Sequence, residues 1–266
     1  MSPFIHKELF ELKNVEADYG KQEIAPEALA EVFETDLKKL DGFNITIPHK
    51  VAIIDALDGL DKIAEEYGAV NTVVRRDGRY YGYNTDAYGF LKGLEFSGIT
   101  LSGKVLVYGF GGAARTIITE CLRAGCEVFV GTLPSLMDSA EKVVTEISAK
   151  TGKGIKLISN DEIKEKFDLL VNATPVGMYP KVGVSPLKAE QVDLFDAVYD
   201  IVYNPQETEL LRIAKSLGKT FGGGLSMLVC QAELAHKVWY GAEFTREETE
   251  KVIAASAREM EEVFGK

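Results

Sequence analysis

The stretch "KVLVYGFGGAARTIITECLRAGCEVFVG", residues 104–131, decides the fold. "KVLVYG" reads as a short buried strand. "GGAARTIITECLRAG" reads as a helix with Ile117, Ile118, Cys121 and Leu122 facing inward, and "CEVFVG" is a strand again. At the first junction Gly109, Gly111 and Ala114 spell G-x-G-x-x-A, in the strand-to-helix context that gives this pattern its meaning. Gly109 permits the tight turn, Gly111 lets backbone approach a pyrophosphate, and Ala114 allows close packing of helix on strand. The free N–H groups of the helix N-terminus suit phosphate. The stretch predicts a bound dinucleotide. Cofactor choice is read at the end of the next strand, where an acid would bind a ribose 2′-hydroxyl and an arginine a 2′-phosphate. Gly131, Thr132 and Leu133 are neither, so these residues leave NAD and NADP both open.

Downstream the alternation continues. A helix over 135–150, strand "KLIS", a helix over 161–166 and strand "DLLVNAT" follow, then strand "AVYDIVY", a helix after "NPQET" and strand "KTFGG". This repeat predicts a parallel, doubly wound sheet between about 100 and 222. Upstream, Leu29, Val32, Phe33, Leu37 and Leu40 predict a helix over 26–40, with Pro26 in its first turn. "FNITI" reads as a strand and 50–66 as a helical stretch broken at Gly59. "AVNTVVRRDGRYYGYN" reads as a hairpin turning at Asp77-Gly78. Residues 224 to 266 read as two helices.

A chain of 266 residues makes one large domain or two small ones. Lys and Arg number 30 against 41 Asp and Glu, and the net charge of −11 disfavours nucleic acid and anionic membranes as partners. No apolar run reaches the ~20 residues that cross a bilayer, and "MSPFIHKELF" shows no secretory pattern. Cys121, Cys126 and Cys230 form no CxxC pair, and an odd count argues for reduced thiols in the cytoplasm rather than disulfides or zinc. His6, His49 and His236 are too scattered to suggest a metal cluster.

Several stretches place polar groups where a core does not need them. "GFNITIPHK" (42–50) sets Asn44, Thr46 and Lys50 at the end of a half-buried strand. "GAVNTV" offers Asn71 and Thr72, "GYNTDAYGF" offers Asn84, Thr85 and Asp86, and "GGGLSMLVCQAEL" offers Gln231. Each alone has a plain structural reading: Asn71 as a turn residue, Asp86 as a helix cap, Gln231 as an exposed side chain. Taken with "SPFIH", "GFGGAAR", "NATPVGMYP" and "YDIVYNPQET", in this order and spacing over nearly the whole chain, they resemble the shikimate dehydrogenase family.

The resemblance implies a two-domain α/β fold. A substrate-binding and catalytic domain spans 1–86, with 224–266 returning to it, and an NAD(P)-binding Rossmann domain spans 87–223. It implies the reversible reduction of 3-dehydroshikimate to shikimate in chorismate and aromatic amino-acid biosynthesis, with NADP as cofactor and NAD as the alternative. It implies a monomer or homodimer without a metal. Carried over by position, Lys50 is the general base and Asp86 its partner. Ser2, Thr46, Asn71, Asp86, Tyr203 and Gln231 contact substrate. Gly109, Phe110, Gly111, Gly112 and Ala113 cradle the cofactor phosphates, Thr132 lies at the ribose, and Ile201 and Gly224 lie at the nicotinamide end. The chemistry is coherent. A small polyol carboxylate is held by neutral hydrogen-bonding side chains, and a desolvated lysine beside a carboxylate takes the hydroxyl proton as hydride leaves.

The sequence departs from the family twice. "GTL" replaces the usual Asn-Arg-Thr after the second Rossmann strand. Met1-Ser2-Pro3 begins inside an S-x-S-P motif that a strand normally precedes, so the first domain is expected to show a gap, a substitute strand or a neighbouring chain there. Two rival readings follow: an NAD-dependent quinate/shikimate dehydrogenase, and a non-catalytic member that binds ligand without turnover.

Overall fold

The computed structural model describes residues 1–264. The chain divides into two compact units: Met1–Gly89 with Val229–Ser256, and Phe90–Leu228 with the segment from Ala257 onward. The expected return of 224–266 to the first domain includes residues 265–266, which lie outside the described residues.

The first unit opens with helices α1 (Ser2–Leu12) and α2 (Leu29–Thr35), followed by strands β1 (Gly42–Asn44) and β2 (Gly59–Leu60). Helix α3 (Lys62–Tyr67) and the hairpin β3 (Thr72–Arg76) and β4 (Arg79–Tyr83) complete its first part. The sheet order is β1-β3-β4-β2, with β2 parallel to β4 and the other pairs antiparallel. Asp77 and Gly78 turn the hairpin with φ of 51° and 75°, as a two-residue turn with two positive φ angles requires. Among the described residues no strand pairs with the outer edge of β1. Its core packs Leu29, Phe33, Phe43, Ile53, Val73 and Tyr80.

Three expectations need correction in this unit. The helix over 26–40 is a 3₁₀ turn at Pro26–Ala28 running into α2 and a second 3₁₀ turn at Leu37–Lys39, split from α2 because the backbone leaves helical geometry at Asp36 (φ −122°). The strand read in "FNITI" ends at Asn44. The stretch 50–66 is not one helix: Asp58 exchanges backbone and side-chain hydrogen bonds with Tyr80, which pulls Gly59–Leu60 into the sheet as β2.

Helix α4 (Asp86–Phe96) precedes the larger sheet. There follow β5 (Lys104–Tyr108), α5 (Gly112–Arg123), β6 (Glu127–Thr132), α6 (Met137–Thr151), β7 (Lys156–Ser159) and β8 (Phe167–Asn172). Helix α7 (Ala189–Val192), β9 (Phe195–Asp200), α8 (Glu209–Ser216), β10 (Thr220–Gly223), α9 (Gly224–Tyr240) and α10 (Arg246–Phe264) end the described chain. The six strands are all parallel in the order β10-β9-β8-β5-β6-β7. The chain winds outward from β5 to β7, then restarts at β8 and winds the other way. Alternate residues bury opposite faces: Val105, Val107, Val128 and Val130 pack on one, Leu106, Tyr108, Phe129 and Leu170 on the other. Of the elements expected here, only the helix over 161–166 fails. A capping box between Ser159 and Glu162 closes a single 3₁₀ turn, and Ile163 is already extended.

In the first unit, α1 is held to α9 by a buried chain of rings. His6 Nδ1 lies 2.9 Å from His236 Nε2, and His236 Nδ1 lies 2.5 Å from the Tyr240 hydroxyl. His6 also stacks on Tyr19 at 4.1 Å. Burial pushes both histidines down to about 3, and for His6 the neighbouring His236 adds to it. The unfolded chain therefore binds protons below its ordinary histidine pKa of about 6.5, where the folded chain does not, so stability falls as pH drops from there toward 3. Buried Asp200, raised to about 6, acts in the opposite sense over part of that range, but as one proton against two. The urea midpoint should drop clearly between pH 7 and pH 4.5, and a His6→Phe, His236→Phe double variant should lose most of that slope.

Candidate active site

The hairpin register brings the polar groups of the first unit together. Thr72 pairs with Tyr83, so Asn71 and the Asn84-Thr85-Asp86 turn leave the sheet side by side. The Asn71 N–H donates to Tyr83 O (3.0 Å), and its side-chain oxygen accepts from the Thr85 N–H (2.8 Å). Asn84 Oδ1 takes the Asp86 N–H at 3.0 Å, so Asn84 caps this end of α4 and the Asp86 carboxylate is left for other partners.

Those partners are Asn71 and Lys50. Asn71 Nδ2 donates to Asp86 Oδ1 at 2.9 Å, and Lys50 Nζ donates to Asp86 Oδ2 at 2.6 Å. Lys50 is fixed at its own backbone, where its carbonyl accepts from the Val70 N–H (2.8 Å). The Asp86 side chain is 2% exposed and that of Lys50 12%. The carboxylate is thus interior, while the ammonium reaches the surface with donors to spare. A second layer steadies Asn71: Thr72 Oγ1 donates to its oxygen, Asn44 Nδ2 donates to Thr72 Oγ1, and Tyr19 OH donates to Asn44 Oδ1. Asn44 and Thr72 stand out as polar in the sequence, but nothing local gives them a part. The hairpin register supplies it.

The other substrate-side expectations are placed but not joined to this cluster. Thr46 is exposed just after β1, Ser2 is half-buried at the start of α1, and Gln231 is half-buried on α9. None makes a hydrogen bond to Lys50 or Asp86 among the described residues. Tyr203 is half-buried after β9 in the second unit, and burial pushes its hydroxyl pKa up.

In the second unit the glycine turn stands at the C-terminal edge of the parallel sheet, where the strand order reverses between β5 and β8. That is the position where doubly wound sheets bind ligands. Gly109 has φ +112°, and a Cβ there would lie 2.8 Å from Thr174 Cγ2 and 3.0 Å from Ala173 O, so only glycine lets the loops after β5 and β8 close on each other. Gly111 caps α5 in an extended conformation without a side-chain cap, and a Cβ on it would meet nothing within 4 Å. The start of α5 is therefore open to an anion, with Phe110, Gly112 and Ala113 partly exposed around it. Gly224 faces Ile201, whose carbonyl would stand 2.0 Å from a Cβ at 224. These features fit a pyrophosphate-bearing cofactor. At the end of β6, Thr132 is turned inward (3% exposed) and Leu133 outward (46%).

Residues 1–73 match the family model described as "Shikimate dehydrogenase substrate binding domain". The chain is 38% identical over 256 residues to the shikimate dehydrogenase (NADP(+)) of Shouchella clausii, covering 95% of this chain and 92% of that one. It is 36% identical to the same-named protein of Methanocaldococcus jannaschii, over 91% and 88% of the two chains. Among solved structures, shikimate 5-dehydrogenase of Thermus thermophilus, in complex with NADP(H) and shikimate, superposes with a TM-score of 0.83 at 34% identity, covering 96% of this chain and 94% of that one. With likeness of this extent in both sequence and fold, the chain belongs to the shikimate dehydrogenase family.

Proposed function

We propose that this protein interconverts 3-dehydroshikimate and shikimate with a nicotinamide dinucleotide. The carrying observation is the Lys50–Asp86 ion pair, braced by Asn71 and open to solvent on the lysine side only. Relatives over more than nine-tenths of the chain are named for this reaction.

Gly109 to Ala113 and the N-terminus of α5 would hold the pyrophosphate, with Ile201 and Gly224 toward the nicotinamide. Bound there, the dinucleotide supplies the hydride acceptor or donor. Lys50 does the proton work. In oxidation Nζ, as the neutral amine, takes the proton of the substrate hydroxyl and becomes the ammonium that Asp86 holds, and in reduction that ammonium gives the proton to the carbonyl oxygen. Asp86 orients Nζ and balances its charge, and Asn71 keeps that carboxylate from rotating away. Thr46, Ser2, Gln231 and Tyr203 are neutral donors and acceptors suited to a polyol carboxylate, whose hydroxyls each need a partner once desolvated. No helix among the described residues is long and apolar enough to cross a membrane, and the reduced, buried cysteines suit a cytoplasmic enzyme. Initial rates with shikimate and with quinate, each with NADP⁺ and NAD⁺, test the reading. Turnover of shikimate with NADP⁺ is expected; binding without turnover of any pair would leave only the non-catalytic alternative.

One observation favours a relaxed cofactor choice. Gly131, Thr132 and Leu133 present no cation, and the arginine on the first turns of α5, Arg115, is held by Glu146 at 2.9 Å. An arginine–phosphate contact is charge-assisted and bidentate. Its absence predicts weak discrimination between NADP⁺ and NAD⁺. Thr132 points inward and Leu133 outward, so Leu133→Arg should tighten NADPH by roughly 10-fold and leave NADH unchanged. Titration of both cofactors checks this, and a wild-type preference for NADP above ~100-fold would mean that another basic residue does the job.

A further inference from the structure

The second unit contains a fully buried carboxylate that the proton chemistry does not use. Asp200 ends β9 at 0% exposure and pairs in register with Asn172, the last residue of β8. Its Oδ1 accepts from Asn172 Nδ2 (2.9 Å) and from the Val202 N–H (3.0 Å), and its Oδ2 accepts from Thr208 Oγ1 (2.7 Å). Each donor belongs to a different segment at the ligand-binding edge of the sheet. Asn172, held by Asp200, accepts through Oδ1 from the Thr174 hydroxyl (2.7 Å) and N–H (3.1 Å), which shapes the loop after β8. That same Thr174 and Ala173 abut Gly109 of the glycine turn. Val202 follows Ile201, and its carbonyl accepts from the Gly224 N–H at 3.1 Å. Thr208 caps α8 by accepting from the Leu211 N–H.

We infer that Asp200 is the positioning residue of the dinucleotide site, its ionised carboxylate holding the loops after β5, β8 and β9 in the arrangement that binds the cofactor. The inference rests on the reading of this unit as a dinucleotide site. A neutral hydrogen-bonding residue would pack there at less cost in desolvation. A carboxylate, however, offers acceptors on both oxygens and fixes three donors at once. The groups facing it are uncharged: Asn172 from β8, the Val202 amide, Thr208 from α8, and Gly223 of β10 across the register. Asp196, the nearest acid on its own strand, is exposed, and Glu207 and Glu209 are paired with Lys215 and Arg212. Burial pushes the Asp200 carboxyl up to about 6, against the lowering effect of its three hydrogen bonds. Its protonation therefore falls within reach of an ordinary binding experiment. Protonation removes an acceptor and should loosen the loops.

Asp200→Asn keeps the shape, removes the charge and puts a donor where one carboxylate oxygen was. Calorimetric titration with NADP⁺ reads binding alone. At pH 7.5 the variant should bind about 10-fold more weakly than wild type. The gap should close toward pH 5, where the wild-type carboxylate is itself protonated. The 2′-phosphate of the ligand titrates identically in both titrations, so the ratio reports Asp200. Should the variant not fold, Thr208→Val takes its place: losing one hydrogen bond to the carboxylate should move the acid limb of wild-type binding to higher pH. Equal affinity of variant and wild type at pH 7.5, or in the second case an unmoved acid limb, would overturn the inference. Wild-type protein that fails to bind NADP⁺ at all would overturn the reading beneath it instead. Because no substrate is present, neither outcome depends on shikimate turnover.

Discussion

Lys50→Ala should lower kcat by ~10²–10⁴ while changing the KM for shikimate far less, the range typical of removing a general base. Lys50 Nζ is the donor on Asp86 Oδ2, and it is the member of the pair that reaches the surface of its unit. Asp86 cannot take over as base, because its side chain is 2% exposed and Asn71 occupies the other oxygen. A variant that keeps more than about half of wild-type kcat would show that another group moves the proton. Alanine in place of Lys50 still allows the backbone bond to the Val70 N–H, but it leaves the buried Asp86 carboxylate without its counter-charge, so the urea midpoint should fall as well.

Asp86→Asn should cost roughly 10²-fold in kcat and also destabilise the protein. The amide oxygen can still accept from Asn71, so that contact survives. The charge opposite Lys50 does not, and an amide N–H cannot replace an acceptor facing an ammonium. Leaving a mostly buried lysine without its counter-charge costs about 1–3 kcal/mol, below the 3–5 kcal/mol of a fully buried pair because Lys50 retains some solvent contact. The urea midpoint and kcat should therefore fall together in this variant, as they should in Lys50→Ala. The two rate effects should not add in the double variant, because the residues act as a unit. Additive losses would mean that Asp86 and Lys50 contribute separately.

The larger sheet was legible because its signals are local. The apolar run 105–108, the glycines at 109 and 111, and the inward stripe of α5 each depend on neighbours a few residues away, and all appear as expected. The Asp77-Gly78 turn belongs to the same kind. What was misread depended on distant partners. Gly59–Leu60 joins the sheet only because Asp58 finds Tyr80, and nothing within 50–66 announces that. The 161–166 segment carries charges of helical type, but no apolar stripe that a sheet would bury. Within the site, Lys50, Asp86 and Asn71 were named as candidates through resemblance, and the structure brings these three within hydrogen-bonding distance. The inward turn of Thr132 was not legible, because the parity of a strand end depends on where the strand stops. Asp200 was invisible for a related reason: in sequence it is one more residue of "AVYDIVY", and only the register beside Asn172 shows what it holds.

Hydride is expected to leave the carbinol carbon of shikimate for the dinucleotide while Lys50 takes the hydroxyl proton. Shikimate carrying deuterium at the carbon that becomes the ketone tests it most directly. With NADP⁺ and wild-type protein, one deuterium per turnover should appear in the reduced dinucleotide. Release of that deuterium to water, or reduced dinucleotide formed without it, would contradict the account.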